Sequence, residues 1–139
     1  TEAVDQFNTH VAAVLERLEY DTLERVWLER SPSDDDTSTF TLKILRSTGD
    51  VMTHHDRIEH LSESEREVIG VIFALTGYIV HDVHEKVPFV LLDSLEAIDS
   101  ERIADLVDHF SGFPEYLLVA LLPEDAQALD DDYARIRSI

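Results

Sequence analysis

Two short runs of apolar residues, neither of which alternates with polar residues, place the strongest constraint on how this chain can fold. Residues 88–93 read Pro-Phe-Val-Leu-Leu-Asp, and residues 116–122 read Tyr-Leu-Leu-Val-Ala-Leu-Leu. Between them, residues 98–110 carry apolar side chains at helical spacing. Strands without alternation that are separated by a helix are typical of a parallel sheet covered on both faces. The sequence therefore predicts an α/β fold.

The first sixty residues predict a helix followed by two antiparallel strands. Apolar residues recur at spacings of three and four over residues 4–18, which indicates an amphipathic helix. Residues 24–30 and 39–46 alternate between polar and apolar side chains, and the polar, turn-rich residues 31–38 join them. We therefore expect a β-hairpin here, whereas residues 51–60 are too polar for an assignment.

Acidic residues outnumber basic ones by 30 to 11, which gives a formal net charge of −19. This balance argues against a free-standing nucleic-acid-binding domain, which needs a basic stripe, and against docking on anionic lipid. Two explanations compete, an acidic surface for a basic partner and adaptation to a salty cytoplasm, and the dispersed acids with hardly any lysine favour the second. A signal peptide and an apolar run of the roughly 20 residues that a membrane span needs are both missing. We expect one cytoplasmic domain, residues 1–139, with no membrane partner.

A strong helix start lies at Ser62, which precedes Glu65 by three positions in the pattern of a capping box. The residues from Val68 to Val80 are apolar nearly all round, so we expect a buried helix. A helix N-terminus with free N–H groups and a serine hydroxyl can bind an anion, although the same pattern is more often only a structural cap. A last helix is predicted from Pro123 through Tyr133.

Two carboxylates follow in the second half of the chain. Asp93 closes the first apolar run, and Asp99 lies six residues further on, before the next helix. Ligands of open α/β sheets bind at the carboxyl ends of parallel strands, where a carboxylate commonly holds Mg²⁺ beside a phosphate chain. An aspartate after a strand is also an ordinary turn residue. The order of helix start, Asp93 and Asp99 is therefore a stronger signal than any one of them.

These segments resemble the motifs of ABC-type ATPases. Residues 61–66, Leu-Ser-Glu-Ser-Glu-Arg, are similar to the Leu-Ser-Gly-Gly-Glu-Arg signature, residues 87–93 resemble a Walker B strand, and Asp99 lies near the expected D-loop. The form that these motifs take resembles that of the SMC family of chromosome-organising ATPases and its DNA-repair relatives. Together with the extreme acidity, it is most similar to the archaea-specific SMC-related proteins of halophilic archaea.

The resemblance implies that the chain is the C-terminal lobe of an ABC/SMC-type P-loop ATPase head. Such a lobe is a small parallel sheet flanked by helices, with an N-terminal helix and a β-hairpin where the chain leaves a coiled coil. The pattern Gly-x-x-x-x-Gly-Lys-Ser/Thr does not occur. The phosphate-cradling loop would therefore lie in an N-terminal lobe of the same polypeptide, joined through coiled-coil arms. Two complete heads would sandwich ATP as a homodimer, and DNA would bind to the full, chromosome-associated assembly.

The family pattern also implies roles for individual residues. Ser62 would present its hydroxyl to the γ-phosphate of the opposite head, and Asp93 would position Mg²⁺ in its own head. Asp99 would reach across the dimer interface. The residues implied to bind ATP are Leu61, Ser62, Glu63, Ser64 and Asp99.

Several positions depart from the family pattern. Glu63 and Ser64 replace the two signature glycines, and Ser94 stands where the catalytic base would directly follow Asp93. Serine cannot accept a proton from water as a carboxylate can, so Glu96 is the nearest candidate for a catalytic base. We expect ATPase activity only in the complete head, with slow hydrolysis or with closure and no hydrolysis. A non-enzymatic protein-interaction module on a degenerate ABC scaffold is the alternative, and an unrelated α/β binding domain is a third reading.

The histidines offer one further possibility, a Zn²⁺ site. The ligands would be His81, His84 and Glu85, together with one of His54, His55 and His60. Polar residues that end a buried helix are more often solvated caps, so the two interpretations stay open.

Overall fold

A computed structural model of the chain describes residues 2–20, 22–35, 37–48 and 52–138. Helices and strands alternate irregularly along it, and a short 3₁₀ turn precedes the second helix. In chain order the elements are α1 (Glu2–Leu18), β1 (Leu23–Pro32), β2 (Ser38–Thr48), β3 (Met52–Asp56), the 3₁₀ turn (Ile58–His60), α2 (Glu63–Val80), α3 (Val83–Lys86), β4 (Phe89–Leu92), α4 (Ser100–Phe110) and β5 (Tyr116–Val119). The predicted opening helix and both strands of the predicted hairpin are confirmed.

The first sheet is antiparallel, in the order β1-β2-β3. Val26 of β1 pairs with Ile44 of β2, and both side chains are almost fully buried beneath the sheet. Strand β3 was not assigned from the sequence because Met-Thr-His-His-Asp has no apolar alternation. An edge strand of an antiparallel sheet needs only backbone hydrogen bonds on one side, so a polar segment can supply it.

Helix α1 lies against this sheet through one apolar stripe. A polar contact adds to the packing, because the side-chain amide of Asn8 bonds the backbone of Leu28 in both directions, each at 2.8 Å. The amide thereby satisfies an N–H and a C=O on the outer edge of β1 that would otherwise need another strand or water. The buried residues of the stripe are Val11, Val14, Leu15 and Leu18.

Helix α2 is buried on one face, not on all sides as its sequence predicts. The prediction is wrong for Gly70 and Ala74, which are exposed and line an open groove between α2 and β4. The face that packs into the core carries Val68, Ile69, Ile72 and Leu75. The apolar surface of α2 therefore extends beyond the face that the described residues cover.

Strands β4 and β5 form the second sheet, which is parallel as predicted. The register runs from the pair Phe89 and Tyr116 to the pair Leu92 and Val119. One face packs against the core through Val90, Leu92, Leu117 and Val119. The other face is open, with exposed fractions of 42–60 % at Phe89, Leu91, Tyr116 and Leu118. Burial of both faces is thus contradicted within the described residues, because nothing in that part of the chain covers the second face.

The helix predicted from Pro123 is also wrong, since residues 123–133 form a series of turns. Leu129 and Tyr133 still pack against the core, and the Tyr133 hydroxyl donates to Asp108 Oδ1 at 2.6 Å. The consecutive aspartates 130–132 favour turns and have low helix propensity, which explains the difference. Among the described residues, no helix is both long and apolar enough to cross a bilayer.

Candidate functional site

The 61–66 segment forms the start of α2 with the capping box that its sequence predicts. Leu61 is buried, whereas Ser62 and Glu63 are exposed. The Ser62 hydroxyl accepts a hydrogen bond from the backbone N–H of Glu65 at 3.2 Å, and the Ser62 N–H donates to the Glu65 carboxylate at 2.9 Å. The segment therefore presents a hydroxyl and the first turn of an 18-residue helix to solvent.

The Glu65 side chain is buried and carries a charge that three neighbours satisfy. The Arg46 guanidinium bonds both carboxylate oxygens, at 3.2 and 3.3 Å, and the Thr22 hydroxyl donates at 2.9 Å. Burial raises the pKa of the Glu65 carboxyl, but hydrogen bonds from the Ser62 backbone, Arg46 and Thr22 outweigh it and the net pKa is lowered. This carboxylate fixes the start of α2 to the first sheet.

Arg46 also pairs with Asp56 at 2.8 Å, which joins β2 to the end of β3. The Arg57 backbone N–H and the His60 ring both bond the Asp56 carboxylate and lower its pKa to about 2. Sequence reasoning missed this network, because its members come from separate segments. The signal that could have found it is the opposite charge of Arg46 and Glu65 on neighbouring elements.

Ser64 and Asp99, both predicted to bind ATP, come together through two further residues. The Ser64 hydroxyl lies 3.4 Å from the Tyr20 hydroxyl, and the Arg102 guanidinium carbon lies 3.8 Å above the Tyr20 ring. Arg102 forms an ion pair with Asp99 at 2.9 Å. Asp99 is exposed and caps α4 by accepting the Arg102 backbone N–H at 3.3 Å.

Asp93 directly follows β4 and is exposed, as a ligand-binding carboxylate at the end of a strand must be. One of its oxygens accepts the Ser94 backbone N–H at 2.8 Å, and Ser94 has a left-handed backbone with φ of 60°. Both residues lie at one end of the groove between α2 and β4, which has a volume of about 450 Å³.

Glu96 is exposed in the loop between β4 and α4. Within the described part of the chain, no hydrogen bond or ion pair links Ser62 to Asp93 or Glu96. The chain therefore presents the two predicted halves of a nucleotide site separately, Ser62 at the start of α2 and Asp93 at the end of β4.

The histidine-rich turn after α2 gathers a different set of side chains from the one predicted. Potential ligand atoms of Asp82, His84 and Glu85 lie within 4.8 Å of one another, and His81 is not among them. His60 bonds Asp56 instead, at 2.6 Å, and the side chains of His54 and His55 lie outside the described part of the chain.

No known protein-family profile matches the chain. It is 53% identical over 141 aligned positions to the Smc-like protein Sph3 of Haloferax volcanii, and 47% identical to the Smc-like protein Sph2 of Halobacterium salinarum. These alignments cover 96% and 94% of this chain but only 22% and 21% of the relatives. The chain thus spans about a fifth of the length of the curated relatives that it matches.

Solved structures with a similar fold include SMC heads. An SMC head bound to the C-terminal winged-helix domain of ScpA superposes with a TM-score of 0.68 at 18% identity, covering 93% of this chain and 38% of that one. A structure from work on ATP-driven dimerisation and DNA-stimulated activation of SMC ATPases gives 0.61 at 16% identity, covering 94% of this chain and 75% of that one. The SMC head domain from Thermotoga maritima gives 0.56 at 15% identity, covering 93% and 42%. The predicted fold, part of an SMC head, is confirmed.

Proposed function

Because the chain belongs to the Smc-like family of haloarchaeal proteins, of which it matches one segment, we propose that it is the C-terminal lobe of an SMC-type ATPase head. In this proposal two heads bind ATP between them, and their association and release drive chromosome organisation or DNA repair in the cytoplasm. DNA contacts come from the whole assembly, because this chain has a net charge of −19 and would repel the DNA phosphates.

The observation that carries the proposal is the exposure of Ser62 at the start of α2 within an SMC-head fold. Helix N-terminal N–H groups and a serine hydroxyl form an anion site only when they face solvent or a partner surface. The residues present fit a triphosphate, because Ser62 can donate its hydroxyl proton outward while its oxygen keeps the bond from Glu65 N–H. Leu61 anchors the turn from inside the core, and the exposed Glu63 carboxylate must point away from the phosphates.

The open face of the second sheet supports an N-terminal lobe of the same polypeptide as the partner. Parallel sheets are normally covered on both faces, whereas here Leu91 is 60% and Tyr116 57% exposed. A sheet of two strands also leaves one edge of β4 and one edge of β5 unpaired in the described part of the chain. An open sheet face and unpaired strand edges are both expected when one sheet is built from two separate segments of a protein and only one segment is present.

Asp93 is the proposed ligand for Mg²⁺, because carboxylates at the ends of parallel strands suit this hard cation. When bound, the ion would neutralise negative charge on the β- and γ-phosphates. The residue that follows, Ser94, cannot take a proton from water, so hydrolysis depends on Glu96 and is slow. Asp99, which is exposed at the start of α4, is the residue proposed to contact a second head.

The presence of Ser94 supports a second candidate, a protein-interaction module that keeps the scaffold and has lost nucleotide chemistry. The two candidates differ in the complete, two-lobed protein. ATP turnover that falls when Glu96 is changed to glutamine would exclude the second candidate. Failure of ATP and Mg²⁺ to change the oligomeric state would favour it.

The sharpest test of the first candidate replaces Ser62 by two residues that both cap helices well, aspartate and asparagine. Ser62→Asp places a negative charge beside the γ-phosphate, so we expect ATP-dependent association of the complete protein at molar salt to fall at least tenfold. Ser62→Asn keeps the cap without the charge and should lose far less. The measurement is the dimer fraction against ATP concentration by light scattering. Equal association of the two variants would contradict a phosphate site at Ser62.

A further inference from the structure

Arg102 holds the end of α1 from a position more than 80 residues away in the chain. Its Nε donates to the Leu18 carbonyl at 3.2 Å and one terminal nitrogen donates to the Glu19 carbonyl at 3.3 Å. The last carbonyls of a helix have no partner within the helix, and a cation there is also favoured by the helix dipole. The backbone turns sharply at this point, because Glu19 has a φ of 53°. Arg102 therefore caps the C-terminus of α1.

The same guanidinium contacts Asp99 directly and the 61–66 segment through Tyr20, the two places that the family resemblance implies bind ATP. Its other terminal nitrogen pairs with the Asp99 carboxylate at 2.9 Å, and its face lies on the Tyr20 ring. The Tyr20 hydroxyl in turn contacts Ser64, two residues after the helix cap of α2. One side chain thus touches the end of α1, the start of α4 and, through one tyrosine, the start of α2.

The planar shape of the group explains how one residue makes all these contacts. A guanidinium offers five N–H donors in a fixed plane and an aromatic-like face, so edge and face can be used together. Burial raises the pKa of the Tyr20 phenol, with smaller opposing effects from Ser64 and Arg102, so the hydroxyl stays protonated and can share a hydrogen bond with Ser64. Lysine could replace the charge of Arg102 but neither the fork nor the stacking.

We propose that Arg102 is a positioning residue that makes the geometry of Asp99 and of the 61–66 segment depend on where α1 ends. A displacement of the α1 terminus would move Arg102, and with it both motifs. The inference rests on the proposed ATP site, but the mechanical link itself does not require nucleotide. A purely structural cap would instead stabilise α1 and α4 without affecting the start of α2.

The test compares Arg102→Lys, Tyr20→Phe and a matched control, Arg135→Lys, in the complete protein without nucleotide. Arg135 also donates to a backbone carbonyl, that of Leu129, but far from these motifs in the sequence. Hydrogen exchange is read at the amides of residues 61–66, several of which are hydrogen-bonded. We expect Arg102→Lys to raise exchange at residues 61–66 and 99–101 by about three- to tenfold.

Tyr20→Phe keeps the ring and removes only the hydroxyl, so exchange should rise at residues 61–66 and not at 99–101. Arg135→Lys should change neither. The proposal is overturned if Arg102→Lys leaves exchange at residues 61–66 equal to that of Arg135→Lys, whatever happens at Asp99. Melting curves identify any variant that unfolds, and Tyr20→Phe then decides alone.

A second readout separates this inference from the proposed function. In the complete protein, Arg102→Lys should raise the ATP concentration for half-maximal association by about three- to tenfold, while Arg135→Lys leaves it unchanged. If the wild-type protein does not associate with ATP, the proposed function fails and the exchange data still decide the role of Arg102.

Discussion

The start of α2 and the end of β4 carry the two halves of the proposed site, yet they are built in opposite ways. At the start of α2 the charges are paired: Arg46 bonds both the buried Glu65 carboxylate and the Asp56 carboxylate. At β4 the parallel sheet leaves an apolar face open, and Asp93 bonds only the backbone that follows it among the contacts the structure shows. The first region is complete within this chain, whereas the second has the surface of a region that a partner covers.

The difference shows which part of the site can be correctly shaped before any partner arrives. A buried, fully bonded carboxylate cannot shift without exposing uncompensated charge, so the Ser62 cap is preorganised by this chain. The loop after β4 has no comparable anchor, and its geometry depends on what covers the sheet. Substitutions in the two regions should therefore affect different measurements.

The largest effect is expected at the paired region. Arg46→Ala leaves the buried Glu65 carboxylate without the cation that bonds both of its oxygens, and losing these charge-assisted hydrogen bonds in a partly buried site costs about 2 to 3 kcal/mol. Urea unfolding at constant salt measures the loss. Arg30→Ala is the control, because Arg30 is exposed and, among the described residues, bonds Ser38 alone, and it should cost less than about 0.5 kcal/mol. Equal losses for the two variants would show that the paired region is not a distinct source of stability.

A smaller effect on the free energy of unfolding is expected in β4, where substitutions on the two faces of the strand should differ. Leu92 packs against the core, so Leu92→Ala should lower the free energy of unfolding by about 2 kcal/mol. Its neighbour Leu91 points to the open face, so Leu91→Ala should change the stability of this chain by less than about 0.5 kcal/mol. In the complete protein, where the N-terminal lobe is proposed to cover that face, Leu91→Ala should become costly. A Leu91 variant that is neutral in both contexts would contradict the proposed lobe interface.

The smallest effect is a pH dependence at Asp56. Its pKa is lowered from 3.8 to about 2 in the folded protein, so its contribution to stability is present above about pH 4 and is lost as the pH falls towards 2. Asp56→Asn should therefore be less stable than the wild type at pH 6, and the two should converge near pH 2. Unfolding midpoints along this pH series provide the measurement. A gap between the two proteins that stays constant down to pH 2 would rule out the carboxylate charge as its cause.

Local patterns predicted the elements whose causes are local. The capping box needed only Ser62 and Glu65 at the right spacing, and the α1 stripe needed only its helical period. The sequence allowed no assignment at β3, whose partner strand decides its conformation. The helix predicted from Pro123 is wrong, and the Tyr133 hydroxyl there bonds Asp108 from a series of turns. The possible Zn²⁺ ligands considered from helix spacing included His81, whereas the turn after α2 brings Asp82 to His84 and Glu85.

The candidate site divides in the same way. The sequence placed Ser62, Asp93 and Asp99 at the ends of elements, where the structure has them exposed. Sequence reasoning assigned no role to Arg46 or Arg102, because each bonds residues far away in the chain. The roles of Glu96 and of the other nucleotide-binding residues remain predictions that the proposed variants test.

The amino-acid sequence by itself determined where helices begin, which strands are apolar and which family the chain resembles. These features depend on the residue types and their spacing within short segments. The tertiary structure alone decided which charges pair and which apolar face stays open. Ion pairs and burial depend on distances of a few ångströms between segments, and those distances exist only once the sheets and helices have packed together.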